Sequence, residues 1–112
     1  MKEELIQLAK EKRFISGIIG KSVESKHSTK DFYYLWMCEL QKWLREEHNW
    51  HIIIFTDDGD LEYDNVRYYF EVRYIIPSFK EEDKDSLVSE EGYKTYELAL
   101  EVALLEALQL IK

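Results

Sequence analysis

The sequence predicts a two-layer α+β domain, with a small antiparallel sheet of two or three strands packed against helices. Three observations lead to this class. Apolar residues recur at helical spacing over residues 30–47 and again over residues 95–111, and they alternate with polar residues within the predicted hairpin, residues 50–76. The 112 residues suffice for one domain with a sizeable core and are too few for two. We therefore expect a single domain over residues 1–112.

The first thirty residues predict a helix followed by a more mobile arm. A short helix is expected from Lys2 to Arg13, and its apolar side carries Leu5, Leu8 and Ala9. Residues 14–20 are apolar but interrupted by two glycines, so a strand, a continued helix and an extended arm all remain open. Residues 21–30 are polar and rich in serine, which predicts a loop.

A long amphipathic helix, predicted over residues 30–47, is the expected centre of the core. The preceding Ser28-Thr29-Lys30-Asp31 has the form of a capping box, in which a hydroxyl and a carboxylate satisfy free N–H groups. Asn49 is the expected stop, because asparagine tolerates the left-handed conformation that often follows a last helical turn. The predicted core face consists of Phe32, Leu35, Trp36, Leu40, Trp43 and Leu44.

Two strands are predicted next, joined as a hairpin. Trp50 to Thr56 is apolar on both faces, which is typical of an interior strand. Asp-Gly at residues 58–59 is a hairpin signal, and Val66 to Ile76 alternates until Pro77 ends the strand. Because two strands alone are marginally stable, a third is expected from residues 14–20 or from a second subunit.

Residues 78–93 are charged and lack periodicity, which predicts a long exposed connection. Thr95 is then expected to cap a final helix from Tyr96 to Ile111. This helix is apolar over most of its circumference, so it should lie between the sheet and another helix or at a subunit contact. The broad apolar surface of this helix, together with the expected need of the two-stranded sheet for a further strand, favours a homodimer.

Charge and cysteine content limit the expected partners and location. The formal net charge of −8 makes nucleic acid and anionic membranes unlikely partners, because both require a basic surface. The most apolar stretch, residues 98–111, is interrupted by Glu101 and Glu106, so no membrane span is expected. A single cysteine, Cys38, excludes an internal disulfide and favours the cytoplasm. The N-terminal residues lack the apolar run of a signal peptide.

The candidate chemical motifs are weak. Carboxylates in the loop 57–64 could hold a hard cation, but their spacing does not fit a calcium loop. His48 and His51 lack further ligands at zinc spacing. Aromatic residues on the second strand, with Arg67 and Arg73 beside Tyr69, could stack single-stranded bases, but the acidic charge of the chain opposes this; they are Tyr68, Tyr69, Phe70 and Tyr74. No phosphate loop or nucleophile motif occurs. We assign no catalytic, cofactor-binding or metal-binding residue, and we expect neither an enzyme nor a bound cofactor.

Two stretches carry a resemblance to other proteins. The segment WMCELQKWLRE, from Trp36 to Glu46, is followed by the hairpin and by the Tyr96 to Ile111 helix. In this order the stretches resemble small, uncharacterised proteins of Bacteroides-type bacteria, which are often encoded in prophages. The resemblance implies an intracellular, mobile-element context and no particular chemistry.

These observations favour a non-enzymatic interaction or accessory module. Such a protein would bind a protein partner through its acidic surface or through an open strand edge. The alternative is a nucleic-acid-associated protein, either a single-strand binder or an acidic mimic of DNA. A metal-dependent enzyme at the loop 57–64 is the third hypothesis.

Overall fold

The computed structural model describes residues 2–15, 30–56, 66–75 and 86–111 of the chain, and within them it has an α+β fold. This confirms the predicted class. The elements, in chain order, are α1 (Lys2–Glu11), α2 (Lys30–His48), β1 (Trp50–Thr56), β2 (Tyr68–Tyr74), β3 (Ser86–Val88) and α3 (Tyr96–Leu110). The strands form one antiparallel sheet in the order β1-β2-β3, and the helices lie on one of its faces.

Helix α1 ends in a tight turn that returns the chain to the core. Arg13 has a φ of 70°, and its N–H donates to the carbonyl of Lys10 at 3.0 Å. The N–H of Phe14 donates to the carbonyl of Ala9 at 2.9 Å. This pair of bonds is a Schellman motif, which satisfies two carbonyls at the helix end and brings Phe14 against the core.

Helix α2 ends as predicted, but part of its predicted core face is exposed. Asn49 has a φ of 60°, which confirms the left-handed stop. The predicted inclusion of Phe32 and Leu35 in the core is wrong, because their side chains are 42% and 54% exposed. The predicted Trp36, Leu40 and Leu44 are buried and Trp43 is partly buried, which confirms that part of the face. Met37, which was not predicted, is also buried. The predicted capping residues 28 and 29 lie outside the described residues.

Helix α3 is the most extensively buried of the three described helices. The N–H of Leu98 donates to Thr95 Oγ1 at 3.1 Å, which confirms the predicted N-cap. Its contacts extend to α1, α2, β1 and β2, so the prediction that it lies between sheet and helix is confirmed. Its buried residues are Ala99, Leu100, Ala103, Leu104, Ala107 and Leu108. No helix in the described ranges is long and apolar enough to cross a membrane.

The sheet corrects two predictions. Within the described residues β1 is an edge strand, not an interior one, and its Ile53 and Phe55 are exposed on the face away from the helices. The third strand is β3, which comes from the segment predicted to be a connection. Residues 14–20 were the predicted source of the third strand within the chain. Of these, Phe14 is in the core, Ile15 is 85% exposed, and residues 16–20 lie outside the described ranges. The loop 57–64 and residues 76–77 also lie outside them.

Candidate functional site

The hydrogen bonds that join β2 to the segment after β3 determine which backbone groups face outward. In an antiparallel pair, each residue directs both its N–H and its C=O either to the partner strand or away from it. Tyr68 and Tyr93 exchange two bonds of 2.8 Å. The N–H of Ser89 donates to the carbonyl of Phe70 at 2.9 Å, and Phe70 N–H donates to Ser89 Oγ at 3.0 Å. The backbone N–H and C=O groups of the even-numbered residues of β2 therefore point toward β3 and the segment that follows it.

From this alternation it follows that β3 has an open outer edge. Val72 lies opposite Leu87, so these two form the bonded pair between the strands. The neighbouring residues Ser86 and Val88 consequently direct their N–H and C=O groups away from β2. Nothing else in the described part of the chain pairs with β3. The result is a short strand edge with two donors and two acceptors facing outward.

A bulge follows β3 and shapes the rim of the site. Phe70 is bonded to Ser89, but Tyr68 pairs with Tyr93, so residues 90–92 lie opposite Tyr69 alone. Gly92 is required in this bulge, because a Cβ atom there would lie 2.6 Å from Arg67 Cβ and 3.0 Å from Tyr69 Cζ. The extra residues place Glu90 and Glu91 at the rim, where both are exposed.

An acidic groove lies beside this edge, between the sheet and α3. It has a volume of about 290 Å³ and combines apolar walls with carboxylates. Phe70 and Tyr93 stack in its wall, with ring centroids 6.1 Å apart. Burial raises the pKa of Tyr93, and the charges of Glu91 and Glu106, which line the same groove, raise it further. The apolar side chains lining the groove are Phe70, Leu87, Val88, Tyr93 and Val102, and its carboxylates are Glu90, Glu91 and Glu106.

This arrangement is suited to an extended polypeptide. The outward groups of Ser86 and Val88 can bond another backbone, and the groove beside them can accept side chains. Its walls favour an apolar side chain, and its carboxylates favour a basic one. Nothing in the sequence nominates this site, because β3 is too short for a periodic pattern and Glu106 is remote from Glu91 in the chain.

The face of the sheet away from the helices is a second exposed surface. Phe55 stacks on Tyr69 with ring centroids 5.8 Å apart, beside the exposed Ile53. Arg73, one of the two arginines beside Tyr69 in the base-stacking hypothesis, forms an ion pair with Glu71 of its own strand at 2.7 Å. The charge of Arg73 is therefore matched by Glu71 on the same strand.

The two histidines considered for zinc lie on different elements. His48 ends α2 and packs edge-on against Trp43 at 4.6 Å between centroids, whereas His51 lies on β1. Among the described residues, no three histidine, cysteine or carboxylate side chains form a group that could hold a metal. Cys38 is a half-buried free thiol on α2.

Burial and the nearby Arg45 both affect the pKa of His51. Burial first, and then the charge of Arg45, lowers the pKa of His51 below its usual 6.5. The folded state thus disfavours protonated His51, so this residue reduces stability as the pH falls below 6.5 and has no such effect at higher pH. We expect Arg45→Gln to raise the His51 pKa, measured by NMR titration of its ring protons. Arg13→Gln is the matched control, and an unchanged pKa in Arg45→Gln would contradict the assignment.

The described fold and site define a small α+β protein with an open strand edge beside an acidic groove. No protein-family model, curated protein or solved structure matches the chain.

Proposed function

We propose that this protein is a non-enzymatic interaction module that binds an extended, basic segment of a partner protein along β3. The observation that carries the proposal is the outward edge of Ser86 and Val88 directly beside a groove lined by carboxylates and apolar side chains. Strand addition uses both parts, because backbone bonds supply affinity and side-chain pockets supply specificity.

The edge alone is too short to bind a partner. β3 has three residues, and short edge strands are a common protection against unwanted pairing. Each added backbone bond contributes only about 0.5–1.5 kcal/mol net. The groove must therefore supply much of the affinity, through burial of an apolar side chain against Phe70 and Tyr93.

Charge selects the partner segment. The groove carries three carboxylates, and the chain as a whole has a formal charge of −8. An acidic segment would be repelled both at long range and at the rim, whereas lysine or arginine side chains would be attracted. Complementary charge also accelerates association, so binding should weaken as salt increases.

The other hypotheses receive less support. Single-strand binding would use Phe55 and Tyr69, but Arg73 beside them is paired with Glu71. The homodimer remains a prediction, supported by the uncharged residues of β1 and the exposed Ile53. The resemblance of Trp36 to Glu46 and Tyr96 to Ile111 to small, often prophage-encoded proteins of Bacteroides-type bacteria favours an intracellular, mobile-element context.

The test is selection of peptides from a random displayed library, followed by fluorescence anisotropy with a labelled selected peptide. We expect selected peptides to alternate apolar residues with lysine or arginine. Val88→Pro removes an outward N–H without removing a β2 bond, and it should weaken binding about tenfold or more. Glu106→Gln should also weaken it, because it removes a carboxylate of the groove.

Thr56→Pro is the matched control, because it places the same change at the outer edge of β1. It should leave peptide affinity unchanged. Loss of binding in Thr56→Pro but not in Val88→Pro would overturn the site and assign recognition to β1. Binding of a labelled single-stranded oligonucleotide, with no peptide selected, would replace the proposal with the nucleic-acid alternative. Light scattering on the same samples measures the oligomeric state.

A further inference from the structure

The edge of the sheet formed by β1, on the opposite side from β3, has its own row of outward backbone groups. Because the even-numbered residues of β2 direct their N–H and C=O groups toward β3, the odd-numbered ones direct theirs toward β1. The register pairs these with the odd-numbered residues of β1. The even-numbered residues of β1 therefore direct their groups outward; they are Trp50, Ile52, Ile54 and Thr56.

A contact from α2 agrees with this alternation. Gln41 Nε2 donates to the carbonyl of Ile52 at 3.2 Å, so a side chain and not β2 bonds this carbonyl. A carbonyl oxygen has two lone pairs, and Gln41 uses one of them. Within the described residues, no strand pairs with this side of β1.

The two edges of the sheet differ in their protection against pairing. β3 has three residues and is followed by a bulge with exposed glutamates. β1 has seven residues in continuous register with β2, without a bulge, a proline or a charged carboxylate, lysine or arginine. Natural edge strands usually carry at least one such protection, and an unprotected edge pairs with another strand.

Charge identifies the strand that fits β1. Its single titratable side chain is His51, whose pKa is lowered by burial and by Arg45, so β1 is uncharged at neutral pH. A basic segment would meet no carboxylate on β1, and the chain, with a formal charge of −8, would repel an acidic one. The fitting partner is an uncharged, apolar strand, and β1 of a second copy is such a strand.

The residues of β1 are also self-complementary about Ile54. In an antiparallel pair centred there, Ile54 lies opposite Ile54 of the second copy, and Ile52 lies opposite Thr56; these outward residues form the bonded pairs. Ile53 then lies opposite Phe55 in the closer, non-bonded pairs on the face away from the helices. Both side chains are exposed in the single chain, and this register packs them together on each side of the two-fold axis.

We infer that β1 pairs with β1 of a second copy, antiparallel and centred on Ile54, and that the protein is thereby a dimer. The pairing joins two three-stranded sheets into one continuous sheet. It is isologous, so it closes at two copies and occupies the β1 edge of both. The β3 edges stay at the two ends of the sheet, so the dimer can form whether or not the proposed peptide site is correct.

The first test is sedimentation equilibrium over a series of protein concentrations. We expect a dimer, and Thr56→Pro should raise its dissociation constant about tenfold or more, because it removes an outward N–H without removing a β2 bond. Val88→Pro, the matched control at the β3 edge, should dimerise as the original protein does. A monomeric original protein would overturn the inference, as would normal dimerisation of Thr56→Pro or equal losses in both variants.

The second test measures the register by disulfide cross-linking in a Cys38→Ser background. Ile53→Cys and Phe55→Cys chains are oxidised separately and as a mixture. Residues in a non-bonded antiparallel pair are close enough for a disulfide, so the mixture should form Ile53→Cys–Phe55→Cys heterodimers. Each variant alone should stay uncross-linked. Cross-linking of Ile53→Cys to itself, or no cross-link in the mixture, would overturn the pairing about Ile54.

Discussion

Replacing Phe14 with alanine is expected to reduce the free energy of unfolding by about 3–5 kcal/mol. Phe14 is buried, and its ring contacts two tryptophans of α2, Trp36 at 5.7 Å and Trp43 at 5.3 Å between centroids. The substitution removes the transfer free energy of the ring and leaves a cavity between α1 and α2. For a domain of this size, such a loss is a large share of the total stability.

Urea denaturation followed by circular dichroism measures this change. Ile15→Ala is the matched control, because the neighbouring side chain is 85% exposed, and it should stay within about 0.5 kcal/mol of the original protein. Phe14→Leu should recover part of the loss. If Phe14→Ala and Ile15→Ala had equal effects, the placement of Phe14 in the core would be wrong.

Leu104→Ala on α3 is expected to cost about 2–5 kcal/mol. The side chain is fully buried, and α3 contacts two helices and two strands. A cavity at this position would lie among several elements, so the surrounding residues could not close it by a local shift.

Leu110→Ala provides the comparison on the same helix. Leu110 is 40% exposed, so the same truncation should cost much less there. Guanidinium denaturation of both variants measures the difference. A Leu110→Ala effect as large as that of Leu104→Ala would contradict the prediction that burial determines the cost of truncation on α3.

Local chemistry made the helix ends predictable. Thr95 and Asn49 act through their own side-chain and backbone preferences, which do not depend on distant parts of the chain. The broad apolar surface of α3 likewise predicted contacts on more than one side, which the sheet and the other helices provide.

The limits of the buried face of α2 were harder to predict, because Met37 and Cys38 lie beside the predicted apolar stripe. Phe32 and Leu35 have the right spacing for a core face, but so does the face that contains Met37. The choice between them depends on the crossing of α2 with α3 and β1, which hydrophobic spacing alone does not specify. The spacing pattern included Phe32 and Leu35 and left out Met37, whereas the structure exposes the first two and buries the third.

The strand order and the candidate site depended on long-range pairing. β3 is a three-residue strand within a charged segment, and its pairing with β2 is determined by the sheet and the bulge at Gly92. The all-apolar β1 suggested an interior strand, yet Ile53 and Phe55 are exposed on an edge strand. The acidic groove could not be predicted, because it joins side chains from β2, from β3 and the segment after it, and from α3, which are distant in the chain.

The position of α3 has a consequence for biosynthesis. This helix follows every other described element in the chain, yet it contacts all of them except β3 and completes their core. Lys12 Nζ also donates a hydrogen bond of 2.7 Å to the carbonyl of Ile111, 99 residues further along the chain. Until residues 96–110 leave the ribosome, the apolar faces of α1 and α2 have no complete partner. The nascent chain must therefore hold exposed tryptophan and leucine side chains in water, where chaperones can bind them, and the domain closes only when α3 emerges.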